Sequence, residues 1–258
     1  MKKNALQAYR CFLATIPLGR YRDELKDVKW VEQDLYEELL PLKSIYFNYW
    51  DQRDAYPDFE TWFEGFWGEL HSSSISVEAL QRFKKYYFDK DDNGWFKLGF
   101  KARMWRTWVS LLTQLDFCYM VEHICHKQNL AVTLQTNAEL DKKGIDLRVG
   151  EINFQIKKIT ERKEARQRPG SKRKEVIIPY PVYNLQEYER KAQSPRVSCA
   201  ARTAYRNALQ AFHKYFECLP NGFVVFGERL VEQIVKDIND YEKLKTTVDA
   251  LQSELKGD

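Results

Sequence analysis

Glu139-Leu-Asp-Lys-Lys-Gly-Ile-Asp146-Leu-Arg-Val-Gly-Glu-Ile-Asn-Phe-Gln155-Ile-Lys157-Lys158 is the stretch on which the reading of the whole chain turns. Apolar residues alternate through Ile145, Leu147 and Val149 and again through Ile152, Phe154 and Ile156, and Gly150 stands between the two runs. Period-two alternation broken by a glycine predicts a β-hairpin. Its second strand then carries Asn153, Gln155 and Lys157 on one face, with Asp146 close by across the turn. An acid, an amide and an amine gathered on one strand face suit metal-assisted hydrolysis of a phosphodiester. A hard divalent cation such as Mg²⁺ takes oxygen ligands, and Asp146, the Gln155 side-chain oxygen and the Ile156 backbone carbonyl can supply them. Lys157 can then orient or deprotonate the attacking water and stabilise the phosphorane.

The spacing of Asp, eight residues, then Gln-x-Lys has the form of the PD-(D/E)xK nuclease pattern. By itself the motif does not separate a nuclease centre from a solvated hairpin face, because polar strand faces often carry Asp and Lys. The surrounding chain adds weight. Residues 157–174 hold nine Lys/Arg against two Glu, while Asp23 to Glu38 and Asp89 to Asp92 are acidic. A basic patch beside a phosphodiester site is the footprint of a nucleic-acid partner. Lys158, Arg162, Lys163, Arg166, Arg168, Lys172, Arg173 and Lys174 are the candidate DNA contacts here.

The chain has 258 residues, 44% hydrophobic and 14% aromatic, enough to bury a full core. No run reaches the roughly 18 to 20 apolar residues of a membrane span, and the polar start lacks a signal-peptide core. We therefore expect a cytoplasmic protein with no membrane partner. Cys11, Cys118, Cys125, Cys199 and Cys218 are odd in number and scattered, which suits reduced thiols. Cys118, His123, Cys125 and His126 lack the paired spacing of a structural zinc site. No glycine-rich phosphate loop supports ATP dependence, and no nucleophile elbow supports a serine hydrolase.

The fold class expected is α/β, a small mixed sheet flanked by helices, behind a helical N-terminal lobe. The lobe takes residues 1–97 and the catalytic core with its basic loop residues 98–258, with one continuous domain as the alternative. Helices are expected over 4–15, 34–49, 58–70, 76–88, 98–128, 185–192, 203–217 and 228–255, with strands over 176–182 and 221–226. Pro179 and Pro181 make the first of these strands short or place it at an edge. Between Tyr46 and Trp67, ten of 22 residues are aromatic. Phe59, Trp62, Phe63, Phe66 and Trp67 recur at helical spacing, which favours a packed face over a base-stacking platform. Glu122, on the helix before the hairpin, is a possible further carboxylate.

Eight stretches resemble the TaqI-type restriction endonucleases, a type II family of the PD-(D/E)xK superfamily. They are Ala14–Tyr21, Val31–Leu35, Leu98–Arg103, Gln114–Tyr119, Glu139–Asp146, Gln155–Lys158, Ile177–Tyr180 and Asn221–Val224, in the family's order across nearly the whole chain. The resemblance implies a homodimeric, Mg²⁺-dependent enzyme cutting double-stranded DNA at TCGA, with a cognate DNA methyltransferase as genetic partner. It makes Asp146 the central metal ligand, Gln155 the occupant of the usual Glu position, Lys157 the catalytic lysine, and Glu139 and Asp141 acids preceding the core. It also points to a DNA-contacting region around Arg196 to Thr203, hence Arg202, although only the first residues there match. The connection from Asp146 to Gln155 is shorter than the family pattern, and Glu122 has no counterpart in it. A structure-specific nuclease and a catalytically silent DNA-binding protein of the same fold are the alternatives. An amide in place of a carboxylate removes one negative charge from the cation's shell, so weaker, millimolar Mg²⁺ dependence is expected.

Overall fold

The computed structural model describes residues 5–19, 35–87, 95–159, 174–182 and 184–257. Two compact units emerge, one of residues 1–115 with 219–223, the other of residues 116–218 with 224–258. The division falls inside a 33-residue helix, Trp95–Lys127.

The first unit is an aromatic helical assembly. Helix α1 (Ala5–Leu13) is followed by a 3₁₀ turn (Glu37–Leu39), α2 (Leu42–Tyr46) and a π-turn (Phe47–Asp51). A single helix over 34–49 is thus not formed: Pro41 has no amide hydrogen to continue one, and it stands immediately before α2. Helices α3 (Phe59–Ser72) and α4 (Ser74–Tyr87) come next, and Asp58 caps α3 by accepting the Thr61 N–H at 2.7 Å. The aromatic run is core. Phe59, Trp62, Phe63 and Phe66 are buried, with Phe59 edge-on to Trp105 at 4.9 Å. Tyr9 donates to the Leu112 carbonyl at 2.9 Å. Asn221 donates to the carbonyls of Leu13 and Ile16 at 2.7 and 2.8 Å, holding the end of α1 against the 219–223 turn.

Helix α5 (Trp95–Lys127) carries the expected apolar stripe and more: Phe117, Tyr119 and Met120 are buried beside Leu115, Cys118 and Val121, so this section is buried on all sides. The second unit is built on a four-stranded sheet in the order β1 (Leu134–Gln135), β2 (Leu147–Val149), β3 (Ile152–Ile159), β4 (Glu175–Pro181). The first three strands are antiparallel and β4 runs parallel to β3, so the sheet is mixed and β4 lies at one edge. Leu147 pairs with Phe154 and Val149 with Ile152, leaving Gly150 (φ +57°) and Glu151 as a two-residue turn. Short α6 (Ala138–Asp141), capped by Asn137, lies between β1 and β2.

Two further expectations need correcting. Val224–Phe226 (β6) does not join the main sheet but pairs with Phe216–Cys218 (β5) in a separate ribbon. The final helix is two: α9 (Glu228–Lys236) and α10 (Tyr241–Lys256). Asp240 caps α10 by accepting the Lys243 N–H, and so begins a new helix where the apolar periodicity runs on. Helices α7 (Leu185–Gln193) and α8 (Cys199–Tyr215) pack together. The core lies where Phe154, Phe117, Phe226 and Tyr180 meet: Phe117 is 6.0 Å from Phe154 and 5.1 Å from Phe226, and Tyr180 is 5.6 Å from Phe226. Asp116, wholly buried on α5, accepts the Phe226 N–H at 2.8 Å.

Candidate active site

Pleating divides β3 into two faces. Leu147, Phe154, Val176 and Ile178 face the core, while Asn153, Gln155 and Lys157 belong to the other face. Asp146 immediately precedes β2, level with the Gln155–Ile156 step of β3, and is 3% exposed. Its N–H donates to the Phe154 carbonyl at 2.9 Å, and its Oδ2 accepts the Ile156 N–H at 2.6 Å. Backbone groups of alternate strand residues point to the same neighbour, so Phe154 and Ile156 both present theirs to the β2 side. The Ile156 carbonyl therefore emerges beside the Asp146 carboxylate, where β2 has not yet begun.

Gln155 packs against Gly144, which adopts φ +74°; a Cβ on that glycine would meet the Gln155 Nε2 at 3.2 Å. Lys157 is half-buried two residues further along the same face and forms no ion pair with any described acid. The structure thus brings Asp146, Gln155, Ile156 and Lys157 together. Carboxylate, amide and carbonyl oxygens form a hard donor set, which suits a small divalent cation that keeps several waters and takes further ligands from a substrate phosphate. No group of three His, Cys, Asp or Glu able to hold a metal occurs among the described residues. The amide and carbonyl donors fall outside such a group.

The two earlier acids sit on α6. Glu139 is 62% exposed and pairs with Lys142 at 3.4 Å; Asp141 is half-buried. Cys118 is wholly buried on α5. Burial pushes its thiol pKa up, and the charge of Asp146, whose carbonyl the thiol faces at 3.7 Å, pushes it further the same way. Thr136, which has no motif around it, donates from its hydroxyl to the Asp146 carbonyl at 2.6 Å. Sequence reading misses this residue, since nothing local marks a hydroxyl that works ten residues away.

Of the candidate DNA contacts, Arg162, Lys163, Arg166, Arg168, Lys172 and Arg173 lie outside the described residues. Lys158 is on the opposite sheet face from Lys157, beside Tyr180. Its side chain reaches solvent, yet surrounding protein partly desolvates the ammonium and lowers its pKa. Lys174 is exposed and pairs with Glu151 at 3.0 Å. Arg202 is half-buried on α8 and reaches the Ser194 carbonyl at 3.5 Å.

The family model for the TaqI restriction endonuclease matches residues 6–238. This chain belongs to the TaqI restriction endonuclease family. A type II restriction enzyme of Thermus thermophilus is 35% identical over 257 residues, covering 95% of this chain and 90% of that protein. Type II restriction enzyme TaqI of Thermus aquaticus is 33% identical over 244 residues, covering 90% and 87%. No solved structure matches significantly. The family is one of type II restriction endonucleases, and these relatives imply a site-specific nuclease. Among its described residues no helix is long and apolar enough to cross a membrane.

Proposed function

We propose that the chain is a Mg²⁺-dependent endonuclease with a PD-(D/E)xK core, cutting double-stranded DNA at the palindrome TCGA as a cytoplasmic homodimer, alongside a protecting methyltransferase. The observation that carries the reading is the Asp146 carboxylate bonded to the Ile156 amide, with Gln155 and Lys157 on the adjoining strand face. Asp146, Gln155 and the Ile156 carbonyl would hold the cation. A divalent cation held there would supply Lewis-acid polarisation of the scissile phosphate and offset the charge that develops on it. Lys157 orients the attacking water and takes up its proton or stabilises the charge forming on phosphate oxygen. Glu139 and Asp141 extend the acidic surround from α6. Lys158, Lys174, Arg202 and the basic residues 162–173 hold the phosphate backbone, and a two-fold dimer matches a two-fold DNA site.

The test is to incubate purified protein with unmethylated plasmid, in Mg²⁺ and in EDTA, and to sequence the fragment ends. Discrete Mg²⁺-dependent ends at TCGA are expected. Discrete ends at another palindrome refute the site but keep the enzyme class, and binding without cleavage in either Mg²⁺ or Mn²⁺ refutes the catalytic reading.

A further inference from the structure

Asp146 is held from two sides. Its amide is held by β3 through Phe154, and its carboxylate by β3 through Ile156. Its carbonyl points away from β3, toward the side where β1 ended at Gln135, whose partner is Arg148. A buried carbonyl needs a donor, and here side chains reach it: the Thr136 hydroxyl at 2.6 Å and the Cys118 thiol at 3.7 Å. Thr136 is 7% exposed and Cys118 wholly buried, so water does not substitute for either.

The Thr136 bond also closes a loop. Between Thr136 and Asp146 the chain turns out through Asn137, which caps α6 by accepting the Leu140 N–H at 3.0 Å, and returns through Gly144 and Ile145. Glu139 and Asp141 ride on this loop, and Gly144 abuts Gln155. The hydroxyl of Thr136 thus ties the two ends of the acid-bearing loop where the β1–β2 ladder has stopped.

We infer that Thr136, seconded by Cys118, is a positioning residue for the nuclease reaction: its hydroxyl fixes the Asp146 peptide plane and thereby aims the Asp146 carboxylate. This rests on the proposal that Asp146 is the catalytic acid. Peptide plane and side chain diverge from one Cα, so releasing the carbonyl lets the plane rotate and swings the carboxylate away from Ile156. Displacements of about 1 Å in such sites cost on the order of a hundredfold in rate. The bond works through Asp146 and touches no substrate, so it acts on turnover more than on DNA affinity.

Thr136→Val keeps the shape and removes the hydroxyl. We expect kcat to fall at least about tenfold, the equivalent of roughly 1.4 kcal/mol, with KM for DNA changed less than about twofold. Thr136→Ser restores the donor and is expected to stay within about threefold of the parent; Cys118→Ala shifts kcat in the same direction by less. A readout independent of turnover is deuterium exchange at the Ile156 amide, which should quicken in Thr136→Val and not in Thr136→Ser, at matched thermal stability. The inference is overturned by full turnover in Thr136→Val, by equal impairment of the Ser and Val variants, or by loss of turnover without faster Ile156 exchange. Asp146→Asn run in parallel separates the two readings. Cleavage surviving in Asp146→Asn removes the catalytic assignment itself, whereas a dead Asp146→Asn beside a fully active Thr136→Val removes only this role for Thr136.

Discussion

Two glycines, Gly144 in the loop before the hairpin and Gly150 in its turn, separate backbone strain from site geometry in a single pair of substitutions. Both have positive φ, +74° and +57°. An alanine in that region costs roughly 1–2 kcal/mol whatever the space around it. In a unit of this size, each kcal/mol lowers Tm by about 2–4 °C, so each variant should melt roughly 2–8 °C below the parent. The surroundings differ. A Cβ at residue 150 meets nothing within 4 Å, whereas one at residue 144 meets the Gln155 amide at 3.2 Å, tighter than an ordinary contact, so Gln155 must give way. Gly150→Ala is therefore expected to lose stability and keep its turnover at temperatures where it is folded. Gly144→Ala should lose about the same stability and, in addition, an order of magnitude or more in kcat, since small displacements of site groups carry large kinetic penalties. Differential scanning calorimetry measures the first quantity, and steady-state cleavage of a short duplex, at a temperature where both variants are folded, measures the second. Equal kcat in the two alanine variants would refute the argument that Gly144 exists to seat Gln155.

Asp146→Asn and Lys157→Ala should each abolish cleavage while leaving DNA retention in a gel-shift assay within a few fold; cleavage retained by either sinks the assigned roles. Gln155→Glu returns a negative charge to the cation's shell, so its half-saturating Mg²⁺ concentration, read from cleavage rates, should fall below the parent's; an unchanged or higher value removes Gln155 from that shell. Asp58 is the cap of α3, and the Thr61 amide holds its pKa below the ordinary carboxylate value. A carboxylate with a lowered pKa stabilises the fold fully above its unfolded value near 3.8 and loses that contribution as pH falls through its folded value. Asp58→Asn, also a good cap, should match the parent at pH 7 and lose less of its Tm between pH 5 and pH 3, whereas Asp58→Ala should cost about 1 kcal/mol at pH 7.

The hairpin was legible because its signal is local: the alternation of Leu147, Val149, Ile152 and Phe154 fixes both faces, and Gly150 marks the turn between them. The helix from Trp95 to Lys127 was legible for the same reason, by sheer length of periodic apolar residues. What stayed hidden depends on partners far along the chain. Leu230, Val231, Ile234, Ile238, Leu244 and Val248 continue one helical rhythm, and the break between α9 and α10 appears only as Asn239-Asp240, a turn and cap signal masked by that rhythm. Val224–Phe226 looks like any buried strand, and its pairing with Phe216–Cys218 rather than the main sheet is set by packing of Phe226 against Phe117 and Tyr180. In the site, residue types and spacing pointed to Asp146, Gln155 and Lys157, and the structure places them side by side. The supports behind them, Thr136 and Cys118 on the Asp146 carbonyl and Gly144 against Gln155, have no pattern of their own.

The bonds from Asn221 to the carbonyls of Leu13 and Ile16 impose an order on biosynthesis. They join residues 208 and 205 positions apart, and the 219–223 turn belongs to the same compact unit as the first helix. At translation rates of about 5 to 20 residues per second, roughly 10 to 40 s pass between emergence of α1 and arrival of the amide that secures its end. The helical unit at the start of the chain is therefore among the last to be completed, and a nascent chain interrupted before residue 221 carries it unfinished.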